Sequence, residues 1–301
     1  MSDWGSFPFG QPNTVRPARA AVRSDVVVIG VYPSAWHIAW RAPKELVAQG
    51  MSGAVAALAV DVEPTVFWDG NADDFGESLA RWKRDVGFLD GKHGEVLPAS
   101  PTTNGSSGEK VVRHYLEPLG ISADRATFTD VYPVFLVKTS NGKRREQGDA
   151  IREEYDTIAA RMDLPASSLP ARVSATRLPA LAASTFGERL VADLSVAAAP
   201  LVITLGAEVW DTLRAIPSLH ARHRREKFVD LYGDAYGDVG SLTVNGRETA
   251  WLPLVHPGLL KGNVDAASDV TDGPRTVKGW ATIHARWTAR VAKSRDVTKT
   301  V

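Results

Sequence analysis

The chain has no cysteine, which excludes disulfides, zinc–thiolate sites, iron–sulfur clusters and thiol nucleophiles. It has no excess of charge either. The 35 basic and 35 acidic side chains give a formal net charge of zero, so bulk electrostatics alone cannot hold it on a polyanion. Long apolar runs are missing too: none approaches the ~18 residues that a membrane helix requires. The opening segment, MSDWGSFPFGQPNTVRPARA, lacks the apolar stretch of a secretory signal. These absences lead to the expectation of a cytoplasmic protein in a reducing compartment, with no membrane partner.

What remains is ordinary for a globular protein: 301 residues, 44% hydrophobic and 23% charged. That length suits one large α/β domain or two smaller ones with sizeable cores. The charge is unevenly spread. Residues 61–90 are acid-rich (Asp61, Glu63, Asp69, Asp73, Asp74, Glu77, Asp85, Asp90). Basic clusters follow at Lys138 with Lys143, Arg144 and Arg145, at Arg222, Arg224, Arg225 and Lys227, and at Arg286, Arg290, Lys293 and Arg295. A local positive surface is compatible with this pattern, because only the field at a contact matters.

Four short runs read as strands: 26–30 (VVVIG), 126–131 (ATFTDV), 201–205 (LVITL) and 249–255 (TAWLPLV). The runs at 26–30 and 201–205 are continuously apolar, β-branched and closed by glycine, as strands buried on both faces of a parallel sheet are. Helical periodicity falls at 108–119, 183–197, 207–213 and 280–292. The alternation predicts a three-layer α/β/α sandwich around a central four-stranded, mainly parallel sheet. Residues 1–23 read as an irregular arm, 24–292 as a single domain with an insertion at about 53–104, and 293–301 as a tail. Within the insertion, 53–61 and 64–70 read as a hairpin, and 97–105 as a turn-rich loop. Residues 167–179 read as a Pro/Ser linker. Ligands of such folds sit outside the carboxyl ends of the strands, which points to Tyr32-Pro33-Ser34, Asp130, Gly206-Ala207 and His256-Pro257-Gly258.

Those strand ends carry a resemblance. Gly30-Val31-Tyr32-Pro33-Ser34, then Asn104-Gly105-Ser106-Ser107-Gly108 opening a helix, then Pro200–Ala207, then Val255-His256-Pro257-Gly258 are similar, in order, to four motifs of the uracil-DNA glycosylase superfamily. The similarity spans roughly residues 24–290. It implies a monofunctional DNA glycosylase that hydrolyses the N-glycosidic bond of a flipped-out damaged or modified base, in repair or phage defence, as a monomer without metal or cofactor. Breaking that bond leaves an anionic base, so donors must meet the charge as it develops. Backbone N–H groups of Ser34, Ala35 and Trp36 could point at a base carbonyl, and a neutral His256 could donate to the same oxygen. Tyr32, Pro33, Ser34, Trp36 and Asn104 would line the base site. Leu259 and Leu260 would fill the gap left by the extruded base. Ser106, Ser107, Lys143, Arg144, Arg145, Arg222, Arg224, Arg225 and Lys261 would contact the DNA.

The sequence also departs from the family. No acid stands in the first loop, where Val31 and Tyr32 occupy the positions that often carry the water-positioning residue. The stacking aromatic before the glycine-rich turn is replaced by Thr103, leaving Tyr32, Trp36 or Phe67-Trp68 to stack. Asp130, Glu109, Asp69, Asp73 or Asp74 would have to activate water. At Asp130 the family has a base reader, usually Asn. An ionised carboxylate offers only acceptors, which would disfavour uracil O4 and favour the exocyclic amine of a cytosine-like base; alternatively Asp130 caps the following segment. Two other functions stay open: a catalytically silent DNA- or nucleotide-binding protein of the same fold, and a hydrolase of small nucleotides or nucleosides.

Overall fold

The computed structural model describes residues 17–20, 23–51, 53–68, 70, 72–100, 103–137, 147–164, 171–260 and 276–299. Among the described residues nine strands run in chain order: β1 (Val26–Gly30), β2 (Ala35–Arg41), β3 (Ala54–Val62), β4 (Glu95–Pro98), β5 (Ala126–Asp130), β6 (Leu201–Leu205), β7 (Leu219–Arg222), β8 (Gly240–Val244) and β9 (Arg247–Leu254). The helices are α1 (Lys44–Ala48), α2 (Ala72–Val86), α3 (Ser106–Val111), α4 (Glu117–Leu119), α5 (Gln147–Met162), α6 (Leu178–Ala197), α7 (Ala207–Ala215) and α8 (Val277–Lys299). A π-helical turn, Val112–Leu116, joins α3 to α4. The described residues form two compact units: those within 32–106 and 133–173 make the first, and those within 17–31, 107–132 and 174–299 the second.

The second unit holds a mostly parallel six-stranded sheet in the order β5-β1-β6-β9-β8-β7. Strands β5, β1, β6 and β9 are mutually parallel, and they are the four runs expected from sequence. Val26, Val27, Val28 and Ile29 are wholly buried between two neighbours, as the continuously apolar run of β1 implies. The sheet has six strands, not four. The addition comes from β8, which pairs antiparallel with β9, and from β7, which pairs antiparallel with β8. Asn245 and Gly246 make that hairpin possible: both have positive φ (48° and 80°), the two-residue turn whose twist matches paired strands. Together with its helices this sheet is compatible with an α/β sandwich.

The first unit has its own three-stranded antiparallel sheet, β3-β2-β4. Strand β2 alternates as an antiparallel strand with one buried face should: Trp36, Ile38 and Trp40 are buried, while His37 and Ala39 are half-buried and Arg41 is exposed. Trp36, Trp40, Trp82 and Tyr155 lie in one core with Leu58, Val60 and Ile158. Each indole contributes about 4–6 kcal/mol of apolar burial, enough to give this unit a centre of its own. The hairpin expected between 53–61 and 64–70 is replaced by β3 pairing with β2, in the register Ala35↔Val62 and Trp36↔Asp61. Residues 97–98 finish β4, and α6 begins at Leu178, inside the expected linker. No described helix is long and apolar enough to cross a membrane.

Candidate active site

In the second unit the parallel strands bring three matched turns to one edge. Asp130 ends β5, Gly206 follows β6, and Val255-His256 follows β9. Gly206 has φ 101° and donates its N–H to the Leu254 carbonyl at 2.8 Å. A Cβ there would lie 3.4 Å from the His256 Cβ, an ordinary van der Waals contact, so it is the left-handed backbone that glycine serves.

His256 opens a single 3₁₀ turn, Pro257–Leu259, and is half-buried. Its Nδ1 accepts the Gly258 N–H at 3.0 Å. A ring nitrogen that accepts carries no proton, so the imidazole is neutral and its hydrogen sits on Nε2. The residue before it is held from both sides. Val255 donates its N–H to Tyr236 Oη at 3.0 Å, and its carbonyl accepts from Tyr115 Oη at 2.6 Å. Leu259 and Leu260, expected as the wedge, are half-buried and close the turn by donating to the His256 and Pro257 carbonyls.

Asp130 is buried at the end of β5, and its backbone carbonyl accepts from Arg189 Nη2. Arg189 also donates to Thr129 Oγ1 at 3.1 Å and Asp193 Oδ2 at 2.9 Å. Thr129 Oγ1 in turn donates to Asp193 at 3.0 Å. Burial pulls the Arg189 guanidinium below its usual pKa, while the charges of Asp193 and Asp130 oppose that fall. A cation is thus built in beside the expected base reader, a feature the sequence pattern did not reveal because Arg189 lies 59 residues away.

The other matched residues lie in the first unit. Tyr32 is half-buried beneath the Arg172 guanidinium, 5.3 Å from its ring centre. Pro33 is buried and Ser34 half-buried. Trp36 is not a surface stacker: it is wholly buried in β2, with Phe75 at 5.2 Å. Ala35 and Trp36 belong to a paired strand rather than an open turn. Asn104 is committed to the backbone of β2. Its Oδ1 accepts the His37 N–H at 2.9 Å and its Nδ2 donates to the His37 carbonyl at 2.8 Å. Burial holds His37 below its ordinary pKa. Trp68 is a core residue, whereas Phe67 is half-buried with φ 53°. For a bulky side chain that is a strained conformation of the kind that collects at functional sites.

Glu63 is the titratable residue that sequence reasoning passed over. It follows β3 directly, donates its N–H to the Ser34 carbonyl at 3.1 Å, and accepts the Gly105 N–H on Oε1 at 3.1 Å. It is 3% exposed. Burial raises its carboxyl to about 7, against a smaller opposing effect of the Gly105 bond. It therefore gains and loses a proton near neutrality, touching two loops that the motif match had selected. In sequence it was one acid among many, because an acidic stretch does not say which member the fold encloses. Asp74 is half-buried and Glu109 exposed; Asp69 lies outside the described residues, as does the side chain of Asp73.

Among the expected DNA contacts, Arg222 ends the edge strand β7 instead of lying in a connection. Arg224 is paired with Asp238, its Nε 2.9 Å from Oδ2. Arg225 and Ser106 are exposed, and Ser107 is half-buried. Lys143, Arg144, Arg145 and Lys261 lie outside the described residues. Among the described residues no group of His, Asp and Glu is arranged to hold a metal ion. Comparison with models of protein families and with curated protein sequences finds no match to this chain.

Proposed function

We propose that the chain is a DNA glycosylase of the uracil-DNA glycosylase superfamily, hydrolysing the N-glycosidic bond of a flipped-out, damaged or modified base. The observation that carries this reading is His256, a neutral imidazole with its proton on Nε2 at the carboxyl end of a parallel strand. A neutral donor in that place can meet negative charge as it forms on a leaving base. Asp130 and His256 belong to strands separated by two others, roughly 14 Å apart by sheet spacing. An aspartate, a nucleobase and an imidazole together span such a gap.

A carboxylate reader offers acceptors alone, so the favoured substrate carries an exocyclic amine, as cytosine-like bases do. No lysine stands in the matched motifs, and water rather than a Schiff base is the nucleophile of this reading. Exposed Arg222 and Arg225 would meet phosphates, and binding would weaken steeply with salt.

The test uses oligonucleotides carrying a single uracil, hypoxanthine, 5-hydroxymethylcytosine or glucosylated cytosine, incubated with protein and then treated with alkali. Strand scission is expected on an amine-bearing base. His256→Ala should lower it about 100-fold or more while leaving DNA retention unchanged. Retention without scission on every base would overturn the proposal.

A further inference from the structure

We propose that Tyr236, His284 and Tyr115 are positioning residues that set the place of the His256 imidazole through Val255; this deepens the glycosylase reading and rests on it. The argument begins with hydrogens. Tyr236 Oη accepts the Val255 N–H, and a hydroxyl has a single proton to give. That proton goes to His284 Nδ1, 2.7 Å away. Nδ1 is therefore bare, and the ring hydrogen lies on Nε2, which donates to the His114 carbonyl at 3.0 Å. Every direction in the chain from Val255 through phenol and imidazole to His114 is determined.

Tyr115 closes the arrangement from the other side. It donates to the Val255 carbonyl, and its ring lies tilted against that of His284, the centroids 4.5 Å apart. Both Tyr115 and His114 come from the π-helical turn Val112–Leu116, an irregularity found often at functional sites. Tyr115, Tyr236 and His284 are each no more than 2% exposed. An apolar filling would bury the end of β9 as well. A fully satisfied polar network adds a fixed geometry, since each member accepts its neighbour at one distance and one angle. The place so fixed is that of Val255, from which the His256-Pro257-Gly258 turn departs, and the Gly206 N–H donates to the neighbouring Leu254 carbonyl at 2.8 Å.

The groups facing His284 are Tyr236, Tyr115 and His114, with Trp287 at 5.3 Å on its own helix and Arg290 donating to the Tyr236 carbonyl at 2.8 Å. Burial lowers His284 to about 4. The neutral ring that the chain of donors needs is thus the form present near neutral pH.

Two measurements on the full chain test the relay: imidazole ¹⁵N NMR, and single-turnover excision on the base that the alkali assay identifies. Wild type is expected to show a bare Nδ1 and a protonated Nε2 on His284. Tyr236→Phe should move the His256 ring signals and slow excision about 10- to 100-fold, as a misplacement near 1 Å does, with DNA retention unchanged. Tyr115→Phe should act in the same direction while leaving the His284 tautomer intact. Val202→Ala, a core truncation in β6, serves as a control for lost stability and should leave the His256 signals in place. A protonated Nδ1 on wild-type His284, or His256 signals unmoved in Tyr236→Phe, would overturn the relay. Should wild type excise none of the bases, the glycosylase reading falls, and the NMR result alone then decides the relay.

Discussion

At the scale of single residues, Glu63 shows what burial does to a carboxyl. Its charge has no described cation beside it to offset desolvation, and a carboxyl so placed favours its protonated form. Since its pKa is about 7 in the folded chain and near 4.3 in an unfolded one, the fold binds a proton that the unfolded chain releases. The stability this contributes is complete below pH 4.3 and is lost as pH rises through 7. Glu63→Gln, which keeps the shape without the charge, should unfold at higher temperature than wild type at pH 8 and show little gain at pH 4. Tryptophan at position 36 teaches the converse. An aromatic beside a matched turn reads as a stacking surface, yet its period-two spacing with Ile38 and Trp40 was already that of a strand with one buried face.

Among elements, legibility followed burial on two faces. Strands β1 and β6 are near-continuous apolar runs because helices and neighbouring strands leave them no solvent face, and such runs stand out in sequence. Strands β2, β7 and β8 each keep an exposed or half-buried face, so their pattern is diluted by polar residues, and they were missed. The signal for β8 was nonetheless present in Asn245-Gly246, a dipeptide that specifies a two-residue hairpin turn. Helix α2 was hidden for a different reason: its acidic residues drew the eye to charge, while Phe75, Leu79, Trp82 and Val86 packed its inner face. Gly246→Ala tests the turn directly. With φ at 80°, an added Cβ costs about 1 kcal/mol or more. The urea midpoint should fall accordingly, and the loss of hydrogen-exchange protection should concentrate in β7 and β8, the strands that the turn attaches to the parallel core.

Across the whole molecule, the two units carry opposite responses to pH. Glu63, in the first unit, makes the fold less stable as pH rises from about 4.3 to 7. His284, in the second, has its pKa lowered to about 4 from an unfolded value near 6.5. A depressed basic group contributes stability that is complete above pH 6.5 and is lost as pH falls toward 4. Each displacement is worth roughly 3–4 kcal/mol, so a measurement that reads the chain as one body would find them nearly cancelling. Hydrogen exchange separates them, because it reports protection amide by amide. After correction for intrinsic exchange, protection in β2 and β3 should decline between pH 4.5 and 7, while protection in β1, β6 and β9 should increase. Glu63→Gln should flatten the first trend and leave the second. Uniform protection across both sheets at every pH, in wild type and variant alike, would mean that neither buried group holds the proton that its surroundings dictate.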